Sequence, residues 1–122
     1  MFTRFPCLAL TGAGAINATG NELDNILVGN TGANRLIGGV GNDTFHFATG
    51  FGKEVITDFQ SGLGAWDVIY FNRGDAFDNY AEVMAAATQV GANTVITVDA
   101  ANTITLTNVP KTALVADDFL FV

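Results

Sequence analysis

GNELDNILV GNTGANRLI GGVGNDTF, residues 20–45, repeats one frame of nine: Gly-Gly-x-Gly-x-Asp-x-U-x, where U is a large apolar residue. The fit improves along the stretch. The first unit keeps Gly20 and Leu27 but has Leu23 and Asn25 at the third-Gly and Asp positions. The second keeps Gly29, Gly32 and Leu36, with Asn34 at the Asp position. The third is complete, with Gly38, Gly39, Gly41, Asp43 and Phe45.

Elementary stereochemistry turns this frame into a structure. Six residues rich in Gly and Asn make a tight turn, because these types tolerate positive φ. The other three make a short strand whose central residue (Leu27, Leu36 or Phe45) points inward while its neighbours point out. Two units complete one coil, and coils stack at the inter-strand spacing of roughly 4.8 Å. Turn 20–25 then lies under turn 38–43, with turn 29–34 on the opposite edge. A single coil cannot bury its apolar face, so the pattern requires stacked neighbours. The expected fold is mainly β, a parallel β-roll (a right-handed β-helix of nonapeptide turns).

The flanking sequence extends and then caps this roll. Leu8–Thr19 reads as a degenerate earlier coil, with Gly12 and Gly14 at turns and Leu8, Leu10 and Ile16 inward. It has no carboxylate, so it is expected to be metal-free. Before it, residues 1–7 read as an irregular leader; Pro6 and the short apolar run speak against a signal peptide. After Phe45 the frame slips by two residues, which predicts a bulged or lengthened strand near His46–Ala48. It then resumes with Gly52, Glu54 at the Asp position and Ile56 inward.

Past residue 57 the pattern predicts a capping segment, 58–122, distinct from the roll of 1–57. Asp67–Phe71 reads as a strand. Asn79-x-x-Glu82 is a capping box, and Tyr80, Val83, Met84 and Ala87 form a helical stripe that packs on a sheet, with Gly91 as the stop. Thr94–Asp99 and Thr103–Val109 predict a hairpin turning at residues 100–102 and ended by Pro110. The chain closes on Asp117-Asp118-Phe119-Leu120-Phe121-Val122, unusually apolar for a C-terminus.

Bulk properties narrow the partners. The 122 residues suit one domain with a modest core, and 49% are apolar without any run of membrane-spanning length. A net charge of −7 opposes nucleic acid and permits a cation. The single cysteine, Cys7, excludes an internal disulfide.

The order of nonapeptides, a Gly-x-Glu-x-Ile-x-Asp-Phe segment (52–59), an Asp-x-Ile strand, a helix, a Thr-rich hairpin and a terminal Asp-Asp-Phe-Leu-Phe resembles the C-terminal module of RTX proteins (the hemolysin-type, calcium-binding nonapeptide family). These are secreted by the type I pathway and include proteases, lipases and epimerases. The resemblance spans about residues 8–122. It implies calcium held between stacked turns, a C-terminal export signal, an extracellular location, and a cargo domain N-terminal to the module in a larger parent protein.

Calcium takes six to eight oxygen ligands. Glycine-rich turns can aim carbonyls at one point, which nominates Gly20, Gly38 and Gly41 on one edge and Gly29 and Gly52 on the other. Side-chain oxygens would come from Asn25 and Asp43 on the first edge, and from Asn34 and Glu54 on the second. Each pair carries one formal charge where two Asp would carry two, which weakens binding. The competing reading is an asparagine ladder without any ion. Asp58 and Asp67 are candidates for a terminal calcium or for turn capping. His46 is expected on the surface, since zinc partners are missing. Asp75, Asp78 and Asp99 read as loop and cap residues. With no nucleophile–base pair or phosphate loop, the expected function is a non-catalytic calcium-binding module. The alternative is an adhesion or carbohydrate-contacting surface, for which the outward residues Ile26, Val28, Arg35, Ile37, Thr44 and His46 supply no aromatic platform.

Overall fold

A computed structural model describes residues 7–9, 17–19, 26–28, 32–39, 43–47, 52–59, 67–71 and 77–121. The first seven strands alternate between two facing sheets. The first contains β1 (Cys7–Ala9), β3 (Ile26–Val28), β5 (Thr44–Phe47), β7 (Val68–Phe71) and β11 (Phe119–Phe121), in that order and all parallel. The second runs β2 (Asn17–Thr19), β4 (Arg35–Ile37), β6 (Lys53–Ile56), β10 (Asn102–Leu106), β9 (Asn93–Asp99) and β8 (Ala87–Val90). Its first four strands are parallel and the last three form an antiparallel meander.

The register stacks like on like. Leu27 pairs with Phe45, Phe45 with Ile69 and Ile69 with Phe119, giving one inward column. Leu36, Ile56 and Leu106 make the facing column. All seven are buried, among them Leu27, Leu36, Phe45 and Ile56, which the frame turned inward. The two-residue slip lengthens β5 and β6 to four residues each, and Phe47 becomes a second inward position stacked beneath Phe71.

Both sheets run on across residue 57. β7 and β11 extend the first and β10 extends the second, so the segment expected as a cap supplies further rungs of the same roll. The terminal Asp-Asp-Phe-Leu-Phe is built in: Ala116–Asp118 is a 3-10 turn and Phe119–Phe121 lies beside β7.

Helix α1 (Tyr80–Ala86) starts where the capping box predicts. The Asn79 side chain accepts from the Glu82 N–H at 2.9 Å, while the Glu82 carboxylate accepts from the Asp78 N–H at 2.7 Å. Its end differs from expectation. The helix stops at Ala86, and β8 follows to pair with β9; Gly91, at φ 61°, makes the β8–β9 turn and not a helix stop. Thr88 and Val90 are β-branched, poor helix formers with a waiting sheet edge, so strand propensity and pairing together end the helix. The stripe still packs inward: Val83 and Ala87 are buried, and Tyr80 and Met84 lie against the core. The second hairpin strand ends at Leu106, short of Val109, because Asn108 takes a left-handed φ of 59°. No helix among the described residues is long and apolar enough to cross a membrane.

Candidate metal centre

Polar residues at the sixth position of the frame form two rows. Each lies two residues before an inward apolar residue, so strand alternation turns it inward as well. On the first edge Asp43 precedes Phe45 and Asp67 precedes Ile69; both carboxylates are buried. Thr44 pairs with Val68, so the two Asp sit on successive rungs, and the Asp43 N–H donates to Asp67 Oδ1 at 2.9 Å. Asn25 occupies the preceding rung by sequence, but it, Gly20, Gly29 and Gly41 lie outside the described residues.

Gly38 faces Asp43 closely. A Cβ built on Gly38 would strike the Asp43 carboxylate and come within 2.9 Å of its Cγ. Glycine is therefore required here for the approach of a carboxylate. Asp58 lies on the other side of that turn, accepting from the Gly38 N–H at Oδ1 (3.0 Å) and from the Gly39 N–H at Oδ2 (2.8 Å).

On the second edge Arg35 pairs with Val55, which sets Asn34 beside Glu54, both buried. The Val55 N–H donates to the Asn34 carbonyl at 2.9 Å. The stacking that the sequence made conditional on the insertion is thus present. Above Glu54, however, stands Ile104 of β10, an apolar lid. Glu54 is fully buried, and neither carboxylate oxygen has a hydrogen-bond partner among the described residues. Burial pushes its pKa from the ordinary 4.5 to about 8. The Asn34 backbone N–H nearby opposes this in part.

A buried carboxylate with two orphaned oxygens fits a hard cation, which would supply the missing partner. Among the described residues no three His, Cys, Asp or Glu side chains converge at metal-binding distance. An ion here would therefore draw most of its ligands from carbonyls, amides and water, which suits calcium and not zinc. Asp43 would hold it on the first edge, and Asn34 with Glu54 on the second.

Three further side chains were not anticipated. Asn102 Oδ1 accepts from the Gly52 N–H at 2.9 Å, tying β10 to the turn before β6. Asp118 is buried and accepts from the Val115 N–H at 2.9 Å. Tyr70 sits edge-on to His46, ring centroids 4.7 Å apart, so the outward face does carry an aromatic pair. Inter-strand register reveals the placements of Asn102 and Tyr70, whereas the Asp118 bond is a local turn contact; the nearest sequence signal was Asp67-x-Ile69, which repeats the frame. Asp99 acts as read, capping the hairpin turn. Its carboxylate accepts from the Ala101 and Asn102 N–H groups at 2.8 and 2.9 Å, and bonds led by that from Ala101 hold its pKa below the ordinary value.

Comparison with known proteins follows the same line. Residues 19–52 match the family profile described as RTX calcium-binding nonapeptide repeat (4 copies). No curated protein matches the chain. Among solved structures, the extracellular lipase LipA from Serratia marcescens superposes over 93% of this chain with a TM-score of 0.64 and 20% identity, a likeness of fold. The chain spans only 21% of that lipase. Calcium is the ion these repeats bind. The chain folds as a parallel β-roll and carries RTX-type calcium-binding nonapeptide repeats at residues 19–52.

Proposed function

We propose that this chain is a non-catalytic calcium-binding module that couples folding and type I secretion to the calcium level outside the cell, on behalf of a larger extracellular protein of hemolysin, protease, lipase or epimerase type. The observation that carries the reading is Glu54: a buried carboxylate whose oxygens make no hydrogen bond among the described residues, just past the segment at 19–52 that matches a calcium-binding repeat. Without an ion this group is an uncompensated cost; with one it becomes a ligand. Cytosolic calcium is too low to stabilise the roll, so the chain would reach its exporter unfolded and fold outside.

The terminal Phe119–Phe121 strand bears on this order of events. In the folded roll it is hydrogen-bonded to β7, with Phe119 buried. An exporter reading residues 117–122 must do so before folding.

Two experiments test the reading. Thermal melts in chelator and in millimolar calcium should differ by several degrees, because a site occupied at ten times its Kd adds roughly 1.4 kcal/mol. Identical midpoints would return the turns to the ion-free ladder. Separately, a passenger fused ahead of residues 1–122 should reach the medium when a type I exporter is present. Unchanged export after deletion of residues 117–122 would place the signal elsewhere.

A second reading, contact with a carbohydrate, gains one observation. His46 and Tyr70 line a shallow outward groove of about 260 Å³ with Ile26 and Thr44. A glycan array on the chain and on Tyr70→Ala tests it: binding lost in the variant supports it, and no binding by the unaltered chain removes it.

A further inference from the structure

Asp58 is a candidate calcium ligand on sequence grounds, and in the structure its carboxylate engages the backbone of an earlier turn. Its two oxygens each accept a backbone N–H, from Gly38 and Gly39, at 3.0 and 2.8 Å across 20 and 19 residues of chain. Successive N–H groups converging on one anion form a nest, which needs a left-handed residue in the turn; Gly39, at φ 88°, supplies it. We infer that Asp58 is a clamp on the Gly38–Gly39 turn, a positioning residue that holds this rung of the roll with or without metal. The inference goes beyond the calcium reading and does not depend on it.

Three features support the assignment. First, the clamp is charge-assisted and bidentate, so it fixes both the position and the orientation of the turn backbone. Second, Gly38 is the residue on which the Asp43 carboxylate rests. Displacing that backbone displaces the surface that orients Asp43. Third, the device recurs. Asp67 Oδ1 takes the Asp43 N–H and Asn102 Oδ1 takes the Gly52 N–H, each acceptor reaching back from a later coil or strand. Side-chain acceptors thus join rungs at points where an ion alone would otherwise hold the turns in register.

A clamp and a ligand respond differently to substitution. A ligand change removes the calcium-dependent gain and leaves the apo protein nearly unaltered. A clamp change lowers stability in chelator as well. The test compares the unaltered 122-residue chain with Asp58→Ala, Asp58→Asn and Asp43→Ala, by thermal melts in chelator and in calcium, amide exchange, and calcium titration. Asp58→Ala should lower the midpoint in chelator by about 5 °C. Asp58→Asn keeps one acceptor and should lose roughly half as much. Exchange at the Gly38 and Gly39 amides should rise about tenfold in Asp58→Ala, from the lost protection of two bonds, while the Thr94–Leu106 amides stay protected. The number of calcium ions bound should not change, although their affinity should fall. A chelator midpoint equal to that of the unaltered chain, with one fewer calcium bound, would make Asp58 a ligand and overturn the inference. Unaltered exchange at Gly38 and Gly39 would overturn it equally. If the unaltered chain gains nothing from calcium, the calcium reading fails while the chelator and exchange measurements still decide the clamp.

Discussion

The two edges of the roll carry the same repeat position and end differently. On the first, Asp43 is followed one rung on by Asp67, and a backbone N–H joins them. On the second, Asn34 is followed by Glu54, and the next rung is Ile104. A carboxylate that meets another polar rung becomes part of a network, whereas one that meets an apolar strand is sealed in. The residue at a repeat position therefore does not determine its own chemistry. Its neighbour in the stack does, and that neighbour can be 50 residues away, as Ile104 is from Glu54.

The largest expected effect tests what the edges share. Phe45→Ala removes the middle of the column between Leu27 and Ile69 and should cost about 3–5 kcal/mol, with or without calcium. A melt that calcium restores to the original midpoint would mean the turns, and not the core, hold the roll together.

Next comes the sealed edge. The Glu54 pKa is raised from 4.5 to about 8, so between these values the folded state holds a proton that the unfolded state has released. The contribution of Glu54 to stability in chelator should then be fully present below about pH 4.5 and be lost as pH rises through about 8, by a few kcal/mol. Glu54→Gln should flatten this slope, as should calcium, which favours the ionised form. Chelator melts from pH 4.5 to 8 check it; a variant whose slope matches the parent would exonerate Glu54.

The smallest effect sharpens the contrast between metal and turn chemistry. Asp43→Ala should remove most of the calcium-dependent gain, on the order of 1 kcal/mol, and Asp99→Ala should remove none of it. Asp99 is exposed and serves the hairpin turn. Equal loss of the calcium gain in both variants would mean that calcium acts by nonspecific screening.

The repeat itself was legible because its signal is local. Spacing of nine, glycine at turns and one apolar residue per strand prescribe a coil, and Leu27, Leu36 and Phe45 are all fully buried as that logic demands. The capping box at Asn79 and the hairpin at 93–106 were legible for the same reason, since each is decided by bonds across a few residues. What the sequence could not decide is which rung lies on which. The parallel pairing of β10 on β6 and of β11 on β7 joins segments far apart in the chain. No local pattern encodes such pairings; they are chosen by which apolar columns fill the space between the sheets. That choice ended α1 at Ala86, made the terminal strand a rung, turned Asp58 toward Gly38 and Gly39, and closed Ile104 over Glu54. Composition and spacing set the coil, while long-range register set the environments of Asp43, Glu54, Asp58 and Asp67.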